Sequence, residues 1–457
     1  MIPFKRTFPV VLLSLFLLSS CVTPQVFQDP KTPEKWQGQT DFKGEFKPEQ
    51  RAKTLEAWWT FFADPVLDRL IKSAMALSPD RAIALAKVEE ARGMARSARS
   101  SLFPQLSASG NKRREDTGIA KPDNYYDASF DASYELDIFG GNRNAAGAAD
   151  LNVEAMQAQF ENVTLTLVAD VARSYTEYRF YMRQANIATR NLNDEKKIAG
   201  LIQQQYKAGE ATRLDVERAE NQVNNTQASI PDFKRQADNA RLRLSVLTGL
   251  LPEYISQIVG KDAPIPSADV MPVLASPAEV LAMRPDIRAA RAAFAAQTKT
   301  TASVTADLFP KLTLSGFYGV QDSAFVSSAS VWNVALGAAV RLIDFGRVEG
   351  QIDAAKAREE QAYQGLRKSV LEAVMDVEQA LVAYAHINEQ RTSLVAALQN
   401  AKKALELSEQ LYKEGEVSFL DVLDAQRSVN AADLAASNAE YAQTIALIAL
   451  YKALGVY

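Results

Sequence analysis

The sequence predicts a mixed α/β membrane protein in which strands and helices both come from one unit used twice. Three observations lead to this class. The chain matches itself at a fixed offset of 206 residues, two stretches alternate between apolar and polar residues, and two long stretches lack proline and are rich in helix formers.

The repeat is gapless. Pro79-Asp80 recurs as Pro285-Asp286, and Leu102-Phe103-Pro104 as Leu308-Phe309-Pro310. Leu136, Phe139 and Gly140 recur as Leu342, Phe345 and Gly346. Tyr206-Lys207, Gly209-Glu210 and Leu214-Asp215-Val216 recur as Tyr412-Lys413, Gly415-Glu416 and Leu420-Asp421-Val422. One offset held without insertion means that element lengths are constrained in both copies. The expected organisation is a signal peptide over 1–20, an extended N-terminal segment over 21–60, a first repeat over 61–251, a proline-rich linker over 252–277 and a second repeat over 278–457.

The N-terminus reads as a secretory signal. Lys5 and Arg6 precede a short apolar run, Val10 to Leu18, and small residues follow. That run is too short to span a bilayer, which takes about 20 apolar residues. Leu18-Ser19-Ser20-Cys21 looks like a bacterial lipobox, in which Cys21 is lipidated on sulfur and becomes the mature N-terminus. Cys21 is the chain's only cysteine, so it has no intrachain disulfide partner, and lipidation accounts for it. An ordinary signal peptide with a chance cysteine is the alternative. Val22, where an Asp would resemble an inner-membrane retention signal, favours the outer membrane.

The formal charge is −4. Loss of residues 1–20, which carry Lys5 and Arg6, leaves −6. This mild acidity argues against nucleic acid as a partner. No apolar run after residue 20 reaches 18, so a spanning part must be a closed β-barrel.

From Tyr126 to Ile138 the chain alternates. Tyr126, Ala128, Phe130, Ala132, Tyr134, Leu136 and Ile138 share one face, and Asp127, Ser129, Asp131, Ser133, Glu135 and Asp137 the other. A barrel wall around water has this pattern, and so has a half-buried soluble strand. The second copy repeats the apolar face with Trp332, Val334, Leu336, Ala338, Val340 and Leu342. Its other face (Asn333, Ala335, Gly337, Ala339, Arg341) is small rather than acidic. Leu106–Gly110 and Leu312–Val320 read as hairpin partners, joined by polar loops near 111–125 and 321–330. Asp127, Asp131 and Glu135 are the candidate lumen face. Four strands cannot close a barrel whose smallest known form has eight, so the chain must oligomerise; three copies would supply twelve.

Asn142 to about Lys207 and Val348 to about Lys413 contain no proline and are rich in Ala, Gln, Glu, Lys and Leu. Each would be a helix about 100 Å long at 1.5 Å per residue. Leu366, Val370, Val374, Val377, Leu381 and Tyr384, then Leu394, Leu398, Ala401, Leu405 and Leu411, mark helices packed side by side. Gly209 and Gly415 end these runs, and Leu214–Leu247 and Leu420–Leu454 return. Shorter helices, Ser78–Ala98 and Pro285–Val304, lead into the strands, with Pro104 and Pro310 at the switch. Such helices fit a rod, a solid bundle or a hollow tube.

The duplicated strand-and-long-helix plan, the Leu-Phe-Pro element, the Tyr-Lys-x-Gly-Glu…Leu-Asp-Val turn and the lipobox together resemble the TolC family of outer membrane factors. The match is closest to its lipoprotein branch, the NodT and OprM-like efflux proteins, and covers about residues 55–457. The resemblance implies a homotrimer with a twelve-stranded β-barrel continued by a helical (α-barrel) periplasmic tunnel. It further implies a periplasmic adaptor protein and an inner-membrane pump, of the resistance-nodulation-division type, docking at the tunnel's closed tip.

The tip turns, Tyr206–Val216 and Tyr412–Ala425, are therefore the candidate gate. Thr212-x-x-Asp215 and Ser418-x-x-Asp421 resemble capping boxes with Asp in place of Glu. Asp424, three residues beyond Asp421, shares its helix face and is not needed for a cap. Threefold symmetry would turn Asp421 and Asp424 into acidic rings that favour cations. The family's aspartates at these positions line a constriction latched by salt bridges. Arg218 stands where the second copy has Asp424, and is read either as pairing with Asp421 or Asp424 across the tip or as a solvated charge. Val417 departs from relatives that carry a latching arginine. Tyr206 and Tyr412 would hydrogen-bond within the tip or pack, packing being preferred. Gly209 and Gly415 form the turns.

Nothing in the sequence points to catalysis or to a cofactor. The one histidine, His386, lies inside a long helix and reads as a packed residue, no His/Cys cluster suggests a metal, and no glycine-rich loop follows a strand. The function expected is a passive exit duct for small toxic compounds or drugs. A duct for protein export and a non-conducting lipid-anchored scaffold are the alternatives. The acidic strand face separates duct from scaffold, because a tether needs no wet lumen.

Overall fold

A computed structural model describes residues 27, 30, 32–38, 57–115, 123–260, 263–267, 276–323 and 326–456. Cys21 and the signal peptide lie outside the described residues. The chain divides into Met1–Thr32 and Pro33–Tyr457; every helix and strand described here belongs to the second unit.

A 3-10 turn, Trp58–Phe62, precedes α1 (Pro65–Leu77) and α2 (Pro79–Ser100). Asp64 caps α1, its carboxylate accepting from the N–H groups of Val66 and Leu67. Pro104 then ends the helical stretch, and β1 (Gln105–Glu115) and β2 (Asp123–Leu136) form a hairpin. The chain runs through Gly140, at φ 79, into α3 (Gly141–Ala208), a single helix of 68 residues. It turns back as α4 (Arg213–Thr248). Two short helices, α5 (Pro252–Val259) and α6 (Pro277–Met283), lead to the second copy: α7 (Pro285–Thr305), β3 (Lys311–Ser323), β4 (Val326–Ala339), α8 (Arg347–Glu414) and α9 (Phe419–Ala453). Both ends of α8 lie 206 residues beyond those of α3, and α8 also has 68 residues. At 1.5 Å per residue each is about 100 Å long.

The four strands make one antiparallel sheet in the order β1-β2-β3-β4. They are longer than their hydrophobic pattern suggests. β1 was expected over Leu106–Gly110 but continues through Asn111, Lys112, Arg113 and Arg114, paired with β2 throughout. The segment reads as a loop because it is polar. Ladder hydrogen bonds come from the backbone, however, and a barrel strand ends where its side chains meet headgroups and water rather than apolar tails. One further feature departs from the sequence reading: the linker contains α5, with Ile255 and Val259 buried. The helix expected over Leu214–Leu247 is α4, and it runs through Pro231.

The main core sits beside the middle of the long helices. Trp58 is fully buried and stacks on Tyr451 of α9 at 5.3 Å. Leu67, Leu70 and Ile71 of α1, Val168 and Tyr175 of α3, and Val377 and Leu381 of α8 close around it. Large side chains buried this way contribute about 1.5–3 kcal/mol each. Of the expected stripe on α8, Leu366, Val370, Val377, Leu381 and Tyr384 are buried, whereas Leu394, Leu398, Leu405 and Leu411 are only half-buried. His386, which the sequence reads as packed or interhelical, is exposed on α8 of the single chain. Among the described residues, no helix is long and apolar enough to cross a membrane.

Candidate channel wall and gate

The alternation of β2 becomes two chemically different faces of the sheet. Directly opposite residues share a face, so Asp127 meets Asn111, Ser129 meets Ser109 and Asp131 meets Ser107. Asn111 Nδ2 donates to Asp127 Oδ2 at 2.8 Å, the Ser109 and Ser129 hydroxyls bond at 2.8 Å, and Ser129 Oγ donates to Asp131 Oδ2 at 3.0 Å. Glu135 lies 4.0 Å from Lys311 Nζ, which also pairs with Asp307 at 3.0 Å. The three candidate lumen carboxylates therefore lie on one face of the sheet, each with a polar or charged neighbour. The other face carries Phe130, Tyr318 and Trp332 in a cross-strand row, then Tyr134, Leu314 and Leu336. Trp332 is 71 % exposed, as a lipid-facing side chain would be.

At the far end of the long helices both turns take the form their sequences suggest. Gly209 and Gly415 have φ 79 and 78, in the left-handed region where glycine is at no disadvantage. Each closes its helix by donating back to the carbonyl of Tyr206 or Tyr412. Thr212–Asp215 and Ser418–Asp421 form capping boxes. Asp215 Oδ2 accepts from the Thr212 N–H at 3.0 Å and hydroxyl at 2.6 Å. Asp421 Oδ2 accepts from the same groups of Ser418 at 2.9 and 2.6 Å. The hydroxyl bond, then the backbone bond, holds each carboxyl below the ordinary aspartate value. The Arg218 charge lowers Asp215 further.

Asp424 is exposed and lies 3.6 Å from Arg427 one turn on. Arg218 pairs with neither Asp421 nor Asp424 within one chain; its charge acts on Asp215, on its own helix. The expected cross-tip pair is thus absent inside a single chain, because α4 and α9 direct these side chains to solvent. Tyr412 both bonds and packs: its hydroxyl donates to Gln205 Oε1 at 2.9 Å, and its ring meets Phe419 edge-on at 6.0 Å. Packing alone was the preferred reading for it. Tyr206 is 38 % exposed. Phe419 also reaches the small core of the first turn, made by Ile202, Val216 and Ala219. The two turns are therefore held together by Tyr412 and Phe419.

Sequence reasoning missed a buried polar layer above the turns. Glu195 of α3 is 3 % exposed. Its Oε1 accepts from Gln222 Nε2 of α4 at 3.0 Å and from Asn430 Nδ2 of α9 at 2.9 Å. Its Oε2 has no partner. Gln222 Oε1 in turn accepts from Arg427 Nε at 3.3 Å. Hydrogen bonds thus run from buried Glu195 through Gln222 to Arg427, whose ion pair reaches Asp424 at 3.6 Å. The only sequence signal was a run of amides, Asn221, Gln222, Asn224 and Asn225, of which Gln222 alone turns inward.

A second missed group lies in the core. Arg179 of α3 is 1 % exposed, donates to the Tyr175 hydroxyl at 2.9 Å and to the Val259 carbonyl at 2.5 Å, and so fastens the linker helix to the tunnel helix. Tyr175 donates to the cap residue Asp64 at 2.8 Å.

Comparison with known proteins gives the same plan. The model of the outer membrane efflux protein family matches residues 70–250 and again 277–456. A pyoverdine export outer membrane protein, OpmQ of Pseudomonas putida, is 32% identical, over 97% of this chain and 96% of its own. A probable outer membrane lipoprotein, SilC of Salmonella typhimurium, is 29% identical over 97% of both chains. The solved outer-membrane channel OprN superimposes with a TM-score of 0.87 at 29% identity, over 95% of this chain and 99% of its own. The chain, with a TolC-like fold, belongs to the outer membrane efflux protein family.

Proposed function

We propose that three copies of this chain form the exit duct of a tripartite efflux assembly, conducting small toxic compounds or drugs outward. One observation carries the reading. The sheet has one face that is polar on β1 and β2 and, apart from Phe317 and Val331, small or polar on β3 and β4, with an apolar face opposite, and β2 and β4 each lead within a few residues into a 68-residue helix. Four strands with two open edges are a third of a twelve-stranded wall, and helices so joined continue that wall rather than cap it. A scaffold would have no use for the polar face of Asp127, Asp131 and Glu135. The duct holds no energy source of its own, so an inner-membrane pump, reached through a periplasmic adaptor at the two turns, supplies it. A pump of the resistance-nodulation-division type is the proposed partner, and protein export through the same duct is the second reading.

In the trimer Asp421 and Asp424 form acidic rings at the closed end, with Asp215 and Arg218 beside them. The test is single-channel conductance in a planar bilayer. Wild type should show small, cation-favouring openings, and an Asp421→Ala, Asp424→Ala double variant should lose that preference or open wider. A folded, inserted trimer that conducts in neither form would defeat the duct reading and leave the scaffold.

A further inference from the structure

The face of the sheet that carries the carboxylates is not polar throughout. Phe317 of β3 lies on it, directly between Asp131 of β2 and Asn333 of β4. Two residues further on, Gly319 lies between Ser129 and Val331. The φ of Gly319 is not positive, so this glycine serves space rather than backbone conformation. A Cβ added to it would stand 2.8 Å from Phe317 Cζ, and 3.1 Å from both the Ala128 carbonyl oxygen and Ser129 Cβ. The Phe317 ring therefore lies back over Gly319, flat along the wall, with Ser129 flanking the same spot. Val331 extends this small apolar patch on the other side. A glycine inside a strand often marks such a close approach. The first copy has no equivalent platform. Asn111 and Arg113 stand 206 residues before Phe317 and Gly319, and Asn111 is bonded to Asp127.

The carboxylate beside this ring is the one whose charge is unanswered. Asp137, nearest the helices, pairs with Arg143 at 3.2 Å. Glu135 has Lys311 at 4.0 Å. Asp131 is exposed and accepts only from Ser129 Oγ at 3.0 Å; among the described residues no cation of the chain pairs with it. From the helices outward it is therefore the first free negative charge on the wall. We infer that Phe317 and Asp131 together form a resting site for organic cations that carry an aromatic or bulky apolar group. The carboxylate takes the charged end, and the ring takes the apolar end and faces the cation. Directly opposite residues have Cβ atoms about 4.5–5.5 Å apart, so one small molecule can touch both. The inference rests on the proposal that this face lines a duct, and adds a class of cargo to it. An inorganic cation gains little from the ring, and an anion is repelled by Asp131. Because the ring lies along the wall, the site slows a passing cation without plugging the lumen. An exposed contact between cation and ring is worth about two- to fivefold in residence time.

Single-channel recording of the full chain in a planar bilayer tests the site. Potassium carries the current, and benzyltrimethylammonium is added on the barrel side, so that it meets the strands before the turns. In wild type it should interrupt the current with measurable dwell times. Phe317→Ser should shorten those dwells about two- to fivefold and leave potassium conductance unchanged. Phe317→Leu, which fills the same seat without an aromatic face, covers the case in which the serine variant does not assemble, and should shorten them at least twofold. Asp131→Asn removes the charge, keeps an acceptor for Ser129, and should also shorten them. Benzenesulfonate, the same ring with the opposite charge, should not be held. Unchanged dwells in the Phe317 variants or in Asp131→Asn, or equal retention of benzenesulfonate, in channels of wild-type potassium conductance, overturn the site and leave the duct intact. Folded, inserted trimers that pass no potassium overturn the site together with the duct on which it depends.

Discussion

Replacing Glu195 tests whether the buried layer sets the strength of the closed tip. Its Oε1 is the shared acceptor for an amide on α4 and one on α9, so it ties the first helix pair to the second. Glu195→Ala strands the Asn430 amide and leaves Gln222 Nε2 only its long bond to Thr226 at 3.4 Å. A stranded buried donor costs about 1–3 kcal/mol. Both residues are half-buried and regain some hydration, so the low end applies, giving about 2 kcal/mol for the two. At 1.4 kcal/mol per decade this is about 30-fold in the balance between joined and parted helix pairs in each chain. Glu195→Gln separates charge from hydrogen bonding. Its carbonyl still accepts from both amides, and it removes an oxygen that has no partner. The alanine variant should therefore show longer and more frequent channel openings and faster hydrogen exchange in α4 and α9 near the turns. The glutamine variant should stay within about threefold of wild type. Equal loosening by both would mean that the buried charge, not the shared acceptor, is what matters. No change in either would show that the layer does not couple the pairs.

Three further outcomes follow from local geometry. Arg284, 7 % exposed, pairs with Asp286 at 2.7 Å and Asp376 at 3.1 Å and donates to the Ala453 carbonyl at 2.9 Å. Arg284→Ala should cost about 1–3 kcal/mol by removing the buried guanidinium's bonds to the Ala453 carbonyl and to two partly solvated carboxylates, read as a lowered midpoint in denaturant. Glu378 accepts from the backbone N–H groups of Gln37 and Gly38 at 2.7 and 2.8 Å. A Cβ at Gly38 would sit 3.1 Å from Leu381 Cβ. Glu378→Ala and Gly38→Ala should both free the segment carrying buried Trp36, seen as increased protease cleavage there. The caps at the turns have a defined pH dependence. Their aspartates titrate below the unfolded value, so their stabilisation is complete above about pH 4 and lost as pH falls through the lower folded values. Thr212→Ala should cost about 1 kcal/mol at pH 7 and progressively less in stronger acid, measured by hydrogen exchange in the first turn of α4.

Backbone features were legible from the sequence because each is local. Period-two alternation fixes a strand and its faces, and glycine followed by Thr-x-x-Asp or Ser-x-x-Asp fixes a turn and the helix beyond it. The failures were all tertiary. Lys112 and Arg113 look like loop residues until β2 lies alongside them. Glu195 looks like one of many surface acids until α4 and α9 bring two amides to it. Arg179 gives no periodic signal; it is buried because the carbonyl of Val259, eighty residues later, and a tyrosine hydroxyl meet it. Arg218 is a different case: equivalence to Asp424 in the repeat gives similar backbone placement, not contact, and within one chain its charge acts on Asp215.

That distinction shows where the gate's chemistry resides. The duplication keeps what makes the wall: helix ends, turn glycines, caps, Val216 with Val422, and Ala219 with Ala425. Most of the groups that join the two helix pairs differ between the copies, although Tyr412 and Asn430 repeat Tyr206 and Asn224. Glu195 answers to Ala401, Gln222 to Ser428, Gln205 to Leu411 and Arg213 to Phe419. Arg427 answers to Asn221, and Asp424 to Arg218. Two identical pairs would present the same surfaces all round a closing tip, and no contact would distinguish one helix pair from the other. With different groups, the first pair offers an acceptor, Gln205, and a buried carboxylate. The second offers Tyr412, Phe419 and Asn430 to meet them. Exchanging Glu195 and Ala401 should therefore remove the layer without changing composition, charge or backbone. The exchanged variant should gate like Glu195→Ala, because a carboxylate at 401 finds Ser428 where the original site has Gln222. Wild-type gating in that variant would show that the layer's position is immaterial and that the tip is held by Tyr412 and Phe419 alone.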